Sequence, residues 1–143
     1  TGAVAMLNAR IVTFASALWW GSLTAVGFMV VPLLFKFLPT PVLAGNMAAR
    51  LFTAQTWVAV ACGVVLLLSL KNQATAQAGR ARSALFFVVL GLLLALLIEF
   101  AVAPRIVARE NLRLWHGVGT LMYAVQWLCA AIVLWRLADD KRG

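Results

Sequence analysis

The chain is poor in acid, histidine and cysteine: of 143 residues only 4 are Asp or Glu, one is His and two are Cys. Glu99 and Glu110 are the only glutamates, and no two acids form a catalytic pair. No nucleophile stands beside a base and no glycine-rich phosphate loop is present. No two of the His, Met, Cys and acidic residues stand at a spacing that demands a metal. Cys62 and Cys129 fall inside apolar runs, where a free thiol packs as a small hydrophobe and says nothing about compartment. Charge is scarce altogether, at 11% of residues, which excludes an ordinary soluble domain. Nothing argues positively for an enzyme.

What the chain does have is apolar length. Hydrophobic residues make up 64% of it, and a hydrocarbon core about 30 Å thick is crossed by about 20 of them as helix. Backbone groups in lipid must be satisfied within the segment, so helices are expected. Four runs have the length, at about residues 10–35, 42–70, 83–104 and 112–137. The expected fold is an all-α integral membrane protein, a four-transmembrane-helix bundle forming one domain over residues 1–143. The Ala15-Ser16-Ala17 triplet resembles a signal-peptidase site, but its preceding apolar run is too short, so the first span is expected to be retained. The absence of an initial Met suggests trimming or an incomplete start.

The net charge of +8 reads as membrane anchoring and not as nucleic-acid binding, because the basic residues lie between the apolar runs. Arg10, Lys71, Arg80, Arg82, Arg136, Lys141 and Arg142 gather at one face, and Lys36, Arg50, Arg105, Arg109 and Arg113 at the other. The excess at the first face places both termini in the cytoplasm, with the protein in the inner (plasma) membrane. Pro32 should kink or break the first helix, and Pro104 should end or turn the third. Pro39 and Pro41 mark the first connector. The polar start of the second helix, with Asn46, Arg50, Thr53 and Gln55, is expected at the interface. Ala17, Gly21 and Ala25, and again Ala59 and Gly63, recur at four-residue spacing, which lets a helix of this chain or of a neighbour approach closely. Reading the halves against each other gives no convincing repeat.

The few polar groups converge near residues 105–117. Glu99 lies in the third span, where a carboxylate is costly unless neutral or paired. Its expected partners are His116, Arg50, Arg105, Arg109 or Arg113, either as a functional site or as a clip between helices. His116, Thr120 and Tyr123 share one face of the fourth helix with Gln126 at its edge, and this stripe is expected to face the bundle interior. His116 with Met29 and Met47 could hold copper as Cu(I), although methionine is a common filler of apolar gaps. Arg105, Arg109 and Arg113 stack on one side if their connector is helical, and with Lys36 and Arg50 they form either a contact for anionic phospholipids or an anion-attracting mouth. Trp115 and Trp135 read as interface anchors. Trp19, Trp20, Trp57 and Trp127 lie deeper, as packing residues or as walls for a flat ligand such as haem.

Trp20-Gly21-Ser22-Leu23, Gly27-Phe28-Met29-Val30-Val31-Pro32-Leu33-Leu34-Phe35, Ala44-Gly45 and Leu51-Phe52, with the later Glu110 and Trp115-His116-Gly117, resemble the transmembrane protein 205-like family. That family of small four-helix membrane proteins is loosely similar to the copper-resistance protein D superfamily, whose relatives include a haem-associated protoporphyrinogen oxidase. The likeness covers residues 14–127. It implies a four-helix inner-membrane protein and a loose link to metal or platinum-drug resistance. It carries over to Pro32, Phe35, Gly45, His116 and Gly117 without assigning any of them a catalytic role. The first-helix histidine of the haem-associated relatives is missing here, which counts against an oxidase. Three functions stay open: handling or transport of a small solute or metal ion at the Glu99 and His116 end; a structural or accessory subunit of a homo-oligomer or membrane complex; and a haem-binding redox protein.

Overall fold

The computed structural model describes residues 2–76 and 79–139, with residues 72–76 as backbone only. They form four long helices: α1 (Gly2–Phe37), α2 (Pro41–Ala76), α3 (Arg80–Val107) and α4 (Leu112–Asp139). All four are long and apolar enough to cross a membrane, and the chain is a multi-pass membrane protein with the expected all-α four-helix architecture. Helix α1 packs on α2, α2 on α3, α3 on α4, and α4 returns to α1. The helices extend beyond their expected ends, chiefly α1 at its start and α2 through the first part of the hydrophilic connector. The charged tail with Lys141 and Arg142 and the remainder of that connector, residues 77 and 78, lie outside the described residues.

Polarity is distributed as lipid demands. Large apolar side chains such as Phe14, Phe86, Leu121 and Trp135 are more than 60% exposed, and they cover a surface that a soluble protein would not tolerate. The interior holds Trp19, Leu23, Ala59, Leu66, Val88, Ala130 and Val133, but also the polar residues Ser16, Gln55, Thr56 and Gln126. Gln55 is thus packed inside the bundle. The apolar outer surface gains nothing by turning inward here, whereas polar side chains gain partners.

Neither proline breaks its helix. Pro32 and Pro104 lack an amide donor, and each ring would strike the carbonyl four residues earlier. In both helices the turn before the proline widens into a five-residue π-helix, Val26–Val30 and Ile98–Val102. The next amides, of Val31 and Ala103, then reach back five residues to Val26 and Ile98. The wider turn makes room for the ring, and α1 runs on to Phe37 and α3 to Val107.

The first and third connectors are short and closed by hydrogen bonds. Thr40 Oγ1 accepts the Leu43 amide at 3.2 Å with Pro41 in the first helical position, so the second proline of the connector starts α2. At the end of α3, the Glu110 amide bonds the Arg105 carbonyl and the Arg109 amide bonds that of Ile106, both at 3.0 Å. This pair of bonds requires a left-handed residue at the turn. Arg109 takes that place with φ 58°, followed by Asn111 at 37°. The residues between Val107 and Leu112 are therefore a tight reversal. The condition under which Arg105, Arg109 and Arg113 would stack on one helical side is not met.

An arginine in the left-handed region carries a steric cost that glycine does not. Arg109→Gly is expected to raise the unfolding free energy by about 1 kcal/mol, measured by reversible unfolding in mixed micelles. An unchanged or lower stability would mean that the guanidinium makes a compensating interaction.

Candidate functional site

In this bundle the polar contacts radiate from α1. Trp19 Nε1 donates to Gln126 Oε1 of α4 at 3.3 Å, and Ser22 Oγ accepts from Gln55 Nε2 of α2 at 2.9 Å. The Tyr123 hydroxyl donates to the Leu23 carbonyl, three residues before the π-helical turn, and Trp127 Nε1 donates to Thr24 Oγ1 at 2.8 Å. Three of these contacts join α1 to α4 and one joins it to α2. The Tyr123 contact depends on Gly27. A Cβ there would lie 2.5 Å from the tyrosine ring, so only glycine lets the ring reach the backbone. Phe52 of α2 closes on the same ring edge to face, with centroids 5.5 Å apart. Trp20, whose indole N–H is buried without a partner, lies 6.0 Å from Trp127.

Two cavities accompany these contacts. The inner one, of about 10 Å³, is lined by Phe52, Gln55, Thr56, Ile98, Tyr123 and Gln126. The outer one is an open groove of about 430 Å³ between α2 and α3, lined by Ala49, Thr53, Glu99, Ala103, Pro104, Val107 and Ala108. Glu99 stands in the π-helical turn of α3, and its Oε1 accepts the Thr53 hydroxyl at 2.9 Å. Both residues are half-buried. Among the described residues no basic side chain pairs with Glu99. The result is a carboxylate held by one neutral donor in an apolar groove wall, within reach of a ligand entering from the side.

The expected polar stripe of α4 divides along its length. Tyr123 and Gln126 point into the bundle and bond α1, whereas His116 and Thr120 are exposed, and the Thr120 hydroxyl returns to the His116 carbonyl of its own helix at 2.7 Å. A threonine can satisfy its hydroxyl on the turn behind it, so it need not face inward. Arg105 bonds the Ala101 carbonyl at 3.1 Å and stacks 4.6 Å from the Trp115 ring. That holds its charge against the end of α3. Lys36, Arg50, Arg109 and Arg113 are exposed. Met29 and Met47 are also exposed, and among the described residues no three of His, Cys, Asp or Glu come together as a metal cluster. Ala59 is fully buried and Gly63 lies under Leu92, while nothing stands within 4 Å of a Cβ placed at Gly21.

Sequence reasoning missed Thr53 as the partner of Glu99, and it missed Trp19, Ser22 and Thr24 as the hub of the interior. The available signal was spacing. Ser16, Trp19 and Leu23 share one helical face, with Ser22 beside it, and Gln55 stands four residues before Ala59 as Gln126 stands four before Ala130.

Residues 14–114 match a family described as a domain of unknown function (DUF4149). The match covers well over half of the chain, and the chain belongs to that family. It fits a small membrane family without an assigned activity, and it does not reach the narrower likeness drawn above from short motifs. No curated protein and no solved structure matches the chain significantly.

Gly27→Ala is expected to cost about 1–3 kcal/mol by overpacking against the tyrosine ring. In a Tyr123→Ala background most of that penalty should vanish. Unfolding of the two single variants and the double variant measures the coupling, and additive losses would contradict the contact.

Proposed function

We propose that this family member is a non-enzymatic membrane protein that handles a small cationic, partly apolar solute in the groove at Glu99 and Thr53, or assists a system that does. One observation carries the reading: among the described residues a half-buried carboxylate has a hydroxyl as its only bonded partner and opens onto a groove otherwise walled by Ala, Pro and Val. A volume of about 430 Å³ lies within the range that holds a small ligand. A carboxylate in such a wall favours an ammonium or another cation whose remaining surface is apolar. His116 and the basic residues of the same end would shape the approach to the groove and are not ligands in it. Met29 and Met47 stand outside it, so a metal is the less favoured cargo, and a haem-binding role has no further support. The inner cavity is too small for a permeation path through one chain. Transport by this protein would therefore run along the lipid-facing groove or require further subunits.

A second reading is assembly with a copy of itself or with a membrane partner, and Gly21 favours it. Ala17, Gly21 and Ala25 are incompletely covered, and Gly21 meets no side chain of its own chain, leaving space that an approaching helix would fill. Exposed Lys36, Arg109 and Arg113 suit anionic phospholipid headgroups. The inner membrane with cytoplasmic termini remains the proposed location. Among the described residues the two faces carry equal numbers of basic residues, so that orientation rests on Lys141 and Arg142 of the tail.

Equilibrium dialysis of benzylammonium against the protein in mild detergent tests the groove. Saturable binding is expected, weakened about tenfold, or about 1.4 kcal/mol, by Glu99→Gln and less by Thr53→Val. Equal uptake by the unaltered protein and Glu99→Gln would sink the reading. For assembly, Gly21→Leu should lower the cross-linked dimer fraction in native membranes. An undiminished fraction would remove the strip from consideration.

A further inference from the structure

The two π-helical turns stand 72 residues apart, Val26–Val30 and Ile98–Val102. Around them the same letters recur at the same interval: Phe28 and Phe100, Val30 and Val102, Pro32 and Pro104, with Arg10 and Arg82 near the other end of the helices. The buried residues recur as well. Those of α1 before its π turn are Val12, Ser16, Trp19 and Leu23, and those of α3 are Ala84, Val88, Gly91 and Ala95. Each lies 72 positions from its counterpart. Any two bundle helices bury positions at similar spacing, so burial alone would mean little. A shared Phe-x-Val-x-Pro with the same rare turn is a different matter. The even helices add a third coincidence at an interval of 71, namely Phe52 with Tyr123, Gln55 with Gln126 and Ala59 with Ala130.

If α1–α2 and α3–α4 are copies, equivalent residues should meet across a two-fold axis, as they do in an isologous contact. They do meet. The Trp19 ring lies against Gly91, where a Cβ would stand 2.5 Å from it, and the Phe52 ring lies against that of Tyr123. One indole fills a layer that has no room for two, so one copy carries Trp and the other Gly. Odd helices run parallel to each other, as do even ones, which sets the axis along the membrane normal, as in parallel-repeat transporters.

Gln55 and Gln126 straddle this axis at 5% and 3% exposure, and both line the inner cavity. Each spends one end of its amide on α1: Gln55 Nε2 on Ser22 and Gln126 Oε1 on Trp19. Among the described residues Gln55 Oε1 and Gln126 Nε2 make no hydrogen bond, and these two residues line the same cavity. A water between them would give the acceptor a donor and the donor an acceptor, and about 10 Å³ is the room one water takes. We propose that Gln55 and Gln126, the same residue of two tandem copies of a helix hairpin, form a binding site for a single water molecule on the axis that relates the copies.

Two measurements on the full chain test this. In isotope-labelled protein in nanodiscs, magnetisation should pass from water to the Gln126 side-chain amide. Gln55→Leu should abolish that transfer while the Trp19 indole resonance, which reports the fold, stays in place. No transfer in the unaltered protein, or transfer indifferent to Gln55→Leu, overturns the water site. The second measurement exchanges the axial pair. Trp19→Gly and Gly91→Trp should each lower the melting temperature sharply, and the double variant should recover most of the loss, because the indole then fills the layer from the other copy and faces Gln55. A double variant as unstable as the two losses combined overturns the two-fold relation.

Discussion

Inside a bilayer, an apolar side chain that leaves lipid for a helix interface escapes no water, so hydrophobic burial does not hold this bundle together. Close fit and hydrogen bonds must do so, and both are concentrated on α1. Its Trp19, Ser22, Thr24 and the Leu23 carbonyl reach α2 and α4, and the Trp19 ring spans the interior to Gly91. Each polar link contributes about 0.6 kcal/mol in a membrane. Four of them around one helix, together with an indole seated on a glycine, position the remaining helices.

The prolines act on the same network. Widening the turn before Pro32 and before Pro104 keeps each helix continuous and loosens its backbone bonding locally. On α1 the tyrosine hydroxyl bonds the Leu23 carbonyl just before that turn, with Gly27 inside the turn letting the ring approach. On α3 the same turn carries Glu99, the counterpart of Gly27 at the 72-residue interval, and directs its carboxylate to Thr53. One local device thus serves packing in the first hairpin and presents a carboxyl group in the second. The specialised group of the protein lies in the half where the close approach of Tyr123 is not needed.

The lateral groove and the axial cavity divide two tasks. The axial pocket is closed, lined by amides and aromatic rings, and sized for water. The groove is open, apolar and marked by one carboxylate, which is what the proposed cationic solute rests on. Charge at that end is held back from the carboxylate, since Arg105 is engaged by the Ala101 carbonyl and the Trp115 ring. An acid with no salt-bridge partner can exchange one ligand for another, which a tightly paired acid cannot do without leaving a buried charge unmatched.

Composition and run length by themselves determined the membrane class, the four spans and their order, because lipid admits few alternatives to helices of that length. They also marked Glu99, Tyr123 and Gln126, since a polar group in an apolar run has to be accounted for. They did not decide partners. Glu99 was expected beside His116 or an arginine and meets Thr53, because a tight turn with Arg109 in the left-handed region replaces the helical connector and His116 falls on the exposed side. Gln55 bonds Ser22 inside the bundle, a partner that no spacing announced. The repeat was hidden because the buried pairs of the odd helices differ in kind, as Trp19 and Gly91 do where one indole fills the layer. Only the tertiary structure decided which face of each helix turned inward, since that choice depends on the fit of particular pairs such as Trp19 with Gly91, and apolarity on every side of a helix leaves no pattern from which to read it.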